Sequence, residues 1–145
     1  MKILVARLLL PMISPPLEDG AISVEDGIIL EVGKRKELLR RYPFPSVKDL
    51  GEAAILPGLV NVHTHLELTA LHPPKGPFFD WLLNLIEAKR GLDEDFYERS
   101  AQQGIEELLR AGTTTVGEIT SIGASFQALK ASGLRGIVYY EALGP

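Results

Sequence analysis

Residues 56–67 read LPGLVNVHTHLE. Pro57-Gly58 opens an apolar run that leads into two of the chain's three histidines, His63 and His65. The run "LVNVHTH" has the length and composition of a buried strand. Side chains on a strand alternate between faces, so Asn61, His63 and His65 share one face while Val62 and Thr64 take the other. Imidazoles two residues apart stand about 7 Å from each other along a strand. At a strand end they can converge on one metal ion, and neutral imidazole is the commonest biological metal ligand. Two ligands make only half a site, because catalytic zinc usually takes three protein ligands and a water. The bare pattern also fits two ordinary polar residues at a strand end.

Downstream of this stretch, strands alternate with helices. "PFFDWLLNLIEAKRG" predicts a helix with Pro77 near its start and Gly91 past its end. "DEDFYERSAQQGIEELLRAG" predicts a second, capped by Asp93, with apolar positions at Phe96, Ile105, Leu108 and Leu109 and a stop at Gly112. "TTTVGEIT" reads as a strand, "SIGASFQALKASG" as a helix and "RGIVYYEALG" as a further strand. Such alternation is the signature of βαβ units and a parallel sheet.

Upstream, residues 1–56 read as β structure. "KILVARLLL" is a strand candidate. Ala21–Val24 and Ile28–Val32 flank Asp26-Gly27, a strong hairpin signal because the turn needs residues that accept positive φ. Asp19-Gly20 marks a second turn. "KRKELLRRYPFP" predicts one short helical turn ended by Pro43, its five basic residues forming a solvated face. Arg7 interrupts the first apolar run and no small-residue cleavage site follows, so a strand is expected there rather than a leader. No run approaches the roughly 18 apolar residues of a membrane helix.

The 145 residues are 46% hydrophobic and 23% charged, which places the chain among globular proteins. A net charge of −4 gives no basic footprint, and neither nucleic acid nor membrane is expected as a partner. The absence of cysteine excludes disulfides, thiolate metal sites and a thiol nucleophile. A cytoplasmic location is the default expectation.

The run LPGLVNVHTHLE resembles the amidohydrolase superfamily, in which a near-identical segment ends the first strand of a (β/α)8 barrel and its H-x-H supplies two metal ligands. "DGAISVEDGIILEVG" and "DLGEAAILPG" are similar to the small β-domain that precedes the barrel, and "AGTTTVGEI" to the second barrel strand. The resemblance covers essentially the whole chain. Hydantoinase-like members usually carry Asp two residues before the first histidine, where this chain has Asn61. "PGLVNVHTHLE" looks more like the deaminase and chlorohydrolase branch, and "HTHLEL" followed by "FFDWL" is most similar to aminodeoxyfutalosine deaminase-like members.

The resemblance implies an α/β fold: half of a small β-sandwich domain at 1–56, then about three strands of a metal-dependent-hydrolase barrel at 57–145. It implies one divalent ion, zinc or iron, held in part by His63 and His65. It puts Glu67 and Arg90 in contact with a small-molecule substrate, and Glu118 and Asn61 behind the ligand histidines. Trp81 is expected in the core and His72 on a surface loop. The implied reaction is hydrolytic deamination of a purine-like or adenosine-derived compound by metal-activated water. Chlorohydrolase, another amidohydrolase acting on C–N bonds, and a non-catalytic truncated remnant stay open as alternatives. The family's remaining ligands and its proton-shuttling glutamate lie beyond the third strand, so no catalytic residue is expected within these 145. A full barrel takes roughly 250 residues. The chain is therefore expected to be an N-terminal fragment, inactive alone, whose open barrel edge is covered by a missing C-terminal portion or by a second copy.

Overall fold

The computed structural model describes residues 1–142, so the last two residues of the expected strand RGIVYYEALG, 143 and 144, lie outside the described residues. The fold is mixed α/β and divides after Pro57 into two compact units.

In the first unit, β1 (Lys2–Leu9) pairs antiparallel with β2 (Leu17–Glu25), and β2 pairs antiparallel with β3 (Ile28–Lys34). Asp26 and Gly27 both have positive φ, 49° and 78°, and turn β2 into β3 as the Asp-Gly signal predicts. Helix α1 (Arg35–Arg41) follows. Strands β4 (Ser46–Asp49) and β5 (Ala54–Ile55) both pair parallel with β1. Ile3, Val5, Ala21 and Leu38 form the core.

Asp19-Gly20 is not a turn; it lies inside β2, with Asp19 at φ 51°. The reason is packing. A Cβ on Gly20 would fall 2.3 Å from Leu9 Cβ, so glycine serves close strand approach rather than chain reversal here.

The second unit carries a parallel sheet in the order β6-β7-β8: β6 (Leu59–Thr64), β7 (Thr113–Thr120) and β8 (Arg135–Tyr140). A 3-10 turn at Leu66–Leu68 follows β6. Helices α2 (Phe78–Lys89) and α3 (Glu94–Arg110) join β6 to β7, and α4 (Ala124–Ser132) joins β7 to β8. Asp93 caps α3, its Oδ1 accepting the Phe96 N–H at 2.8 Å.

The buried stripe of α3 is Tyr97, Ser100, Ala101, Gly104 and Ile105, with Leu108 packed beside it. Leu109, expected in that stripe, is 46% exposed. Small residues let α3 approach the 3-10 turn, and they carry no apolar signal in the sequence. Leu66, Ala101, Ile105, Val116 and Leu129 complete this core. No helix among the described residues is long and apolar enough to cross a membrane.

Candidate metal centre

The three parallel strands bring their C-terminal ends together, with Thr64 of β6 registered against Glu118 of β7. His63 and His65 stand at that end, their ring centroids 5.2 Å apart and their planes at 70°. His63 is exposed and His65 half-buried.

His65 Nδ1 lies 3.1 Å from the Ile119 carbonyl oxygen. A carbonyl only accepts, so Nδ1 carries a proton and Nε2 is the ring nitrogen left to face a metal ion. This is how a ligand imidazole is ordinarily fixed in tautomer and orientation. Two imidazoles at one strand end, one with its ring oriented by backbone, fit a divalent ion such as zinc. Among the described residues no group of three or more His, Asp or Glu side chains converges on a common point.

The support behind the pair differs from expectation. Glu118 hydrogen-bonds the backbone rather than either ring. It is fully buried, and both its oxygens accept the Leu66 N–H at 3.0 Å. It therefore anchors the backbone just after His65, while the neighbouring Ile119 carbonyl orients the imidazole. Asn61 acts on backbone too, its Oδ1 accepting the His63 N–H at 3.2 Å. Burial pushes the Glu118 carboxyl up to about 7; the negative charge of Glu67 adds to the rise, and the Leu66 N–H opposes it. Ser125 Oγ stands close enough to weaken the shift, but no hydrogen bond of normal geometry joins it to Glu118.

Glu67, expected against substrate, is 3% exposed. Its Oε1 accepts from the Thr120 hydroxyl and from Ser125 N at 3.3 Å, and its Oε2 accepts from Ser121 N at 3.2 Å. The carboxylate ties the β7–α4 connection to the end of β6, and both its oxygens are occupied. Arg90 is also placed elsewhere. It follows the last turn of α2, where it pairs with Glu87 at 2.6 Å, both side chains exposed. His72 is exposed, with Nδ1 3.0 Å from the Ala70 carbonyl.

An open cavity of about 720 Å³ adjoins the histidine pair. Its wall includes Leu71, Phe78, Trp81, Leu85 and Lys89, with Ser121 and Glu141 on the strand-end side. Trp81, expected in the core, lines this cavity, because α2 buries none of its residues. Phe78 and Trp81 lie 6.1 Å apart, tilted by 33°, and form an aromatic surface.

The sequence profile of the amidohydrolase family matches residues 54–143. The chain belongs to the amidohydrolase family. Among curated amidohydrolase relatives, it is 37% identical over 123 residues to a 5-methylthioadenosine/S-adenosylhomocysteine deaminase of Nitratidesulfovibrio vulgaris, covering 82% of this chain and 28% of that protein. It is 28% identical over 130 residues to an aminodeoxyfutalosine deaminase of Nitratiruptor, covering 88% and 32%. Among solved structures, Helicobacter pylori aminofutalosine deaminase superposes with a TM-score of 0.82 at 26% identity, covering 99% of this chain and 36% of that one. An adenosine deaminase from Xanthomonas campestris with bound zinc gives 0.78 at 28% identity, covering 94% and 33%. The chain thus spans about a third of the length of these amidohydrolases.

Proposed function

We propose that this chain provides the N-terminal part of a metal-dependent hydrolase that deaminates a purine-like or adenosine-derived small molecule. In this reading residues 1–56 belong to a composite β-sandwich, and residues 57–145 begin a TIM-like barrel whose active site gathers at the C-terminal strand ends. The observation that carries it is the paired imidazoles of His63 and His65 at that end, with His65 Nδ1 committed to the Ile119 carbonyl. Relatives whose names state nucleoside deamination support the substrate class.

His63 and His65 would hold a divalent ion, zinc in the first instance and iron as the other candidate. When bound, such an ion brings the pKa of a coordinated water towards neutrality and so supplies the nucleophile for an aminated ring carbon. The chain's own residues prepare the place. Asn61 and Glu118 hold the backbone on either side of the ligands. Phe78 and Trp81 offer an aromatic wall to a heteroaromatic base and reduce its contact with water. The enzyme is read as cytoplasmic, with no nucleic acid or membrane partner. The remaining ligands and the proton-transferring carboxylate come from outside these residues.

The test is metal content and ammonia release by the full native polypeptide. About one divalent ion per chain is expected, with ammonia released from an adenosine-derived nucleoside. His63→Ala and His65→Ala should each lose metal and, with it, at least about 100-fold in activity. Ammonia release that survives both substitutions would refute the reading.

A further inference from the structure

Among the described residues that line the cavity beside the histidine pair, Lys89 is the one lysine or arginine. Lys89 is half-buried in the last turn of α2, on a wall otherwise built from apolar and aromatic residues of α2 and the preceding loop. Its backbone is fixed, because its carbonyl accepts from the Tyr97 hydroxyl and from Leu92 N, both at 3.4 Å. Its neighbour Arg90 is taken up by Glu87. Among the described residues Lys89 enters no ion pair. A cation set in a partly desolvated apolar wall interacts more strongly with an incoming carboxylate than one in open water. Among the described lining residues the one carboxylate, Glu141, follows the end of β8. It disfavours a bare anion and favours a tail that also bears an ammonium group.

We propose that Lys89 binds a carboxylate on the substrate's tail, remote from the reacting ring, so that the site selects an adenosine-derived compound with an amino-acid-like tail over one with a neutral tail. The proposal rests on the deaminase reading and adds a substrate preference to it. S-adenosylhomocysteine and 5-methylthioadenosine are suitable probes, since the first ends in an amino acid and the second in a methyl group.

The experiment titrates the full native polypeptide with the deaminated, 6-oxo forms of these two compounds, which do not turn over. Wild type should bind the amino-acid-tailed ligand more tightly. Lys89→Gln should shrink the ratio of the two dissociation constants by roughly three- to tenfold, and Lys89→Arg should preserve it. A ratio unchanged by Lys89→Gln, or no binding of either ligand, overturns the proposal. Ammonia release from the two parent nucleosides is followed in parallel. Normal release with an unchanged ratio sinks the Lys89 role alone. A ratio lost in Lys89→Gln without any ammonia release sinks the deaminase reading alone.

Discussion

Glu118 lies within one strand of the histidine pair and is fully buried. Its carboxyl is raised from 4.5 to about 7, first by burial and then by the charge of Glu67. The sign of the consequence follows from proton binding. Between about 4.5 and 7 the folded chain holds a proton that the unfolded chain has lost. The stabilisation is therefore complete below about 4.5 and disappears as pH rises through 7, amounting to at most about 3 kcal/mol. Glu118→Gln mimics the protonated form and keeps an oxygen for the Leu66 N–H. Its denaturation midpoint should stay flat from pH 5 to 8 where wild type declines, and parallel declines would show that Glu118 is already ionised at pH 5. Single residues were unevenly legible. The two-residue period of a strand sufficed to join His63 to His65. Arg90, just past the end of α2, pairs with Glu87, while Lys89 on the last turn lines the cavity, and a helix rotates by about 100° per residue. The partners of Glu67 are Thr120, Ser121 and Ser125, which lie 53 to 58 positions away. Nothing local announces a carboxylate that will be buried by so distant a loop, or a backbone carbonyl that will orient an imidazole.

At the scale of elements, the approach of β6 to β7 decides where the histidines stand. Gly117 permits it, since a Cβ there would lie 2.3 Å from the Val62 carbonyl oxygen and 2.9 Å from its carbon. Both obstacles are backbone atoms in the residue before His63, so neither can rotate away. Gly117→Ala should destabilise the fold by at least about 2 kcal/mol and weaken metal binding at the same time, read by chemical denaturation and metal titration. Gly76→Ala, where the nearest atom is Asp80 Cβ at 4.0 Å, serves as the comparison and should change neither. Equal stability of the two variants would mean that the strands separate freely. Element types were readable because their signals are local: Asp-Gly at the hairpin, Asp93 capping α3, and the β–α alternation after Gly58. Element faces were less so. The packed face of α3 is built on Ser100, Ala101 and Gly104, which apolar periodicity passes over. On α2 only Trp81 was expected in the core, yet the helix buries none of its residues, and Phe78, Phe79 and Leu83 are 64%, 75% and 65% exposed.

For the whole molecule, the parallel sheet leaves β6 and β8 each paired on one side only among the described residues. Val60, Val62, Ile137 and Tyr140 on those outer strands are 62%, 79%, 62% and 70% exposed. Unpaired parallel edges bearing β-branched and aromatic side chains are templates for further strand pairing. The same strand ends hold only two imidazoles, one short of the usual protein complement of a catalytic zinc. Edge and site therefore call for the same remedy, which is more chain at the strands flanking β6 and β8. Residues 1–145 expressed alone should associate or precipitate in size-exclusion chromatography and bind zinc no more tightly than a surface histidine pair. The full native polypeptide should be soluble, with an intact mass near three times the 15.9 kDa of these residues, in proportion to the third of each relative that they cover. A soluble 15.9 kDa monomer from the source cells, holding stoichiometric metal, would mean that these strands close on themselves and that two histidines suffice.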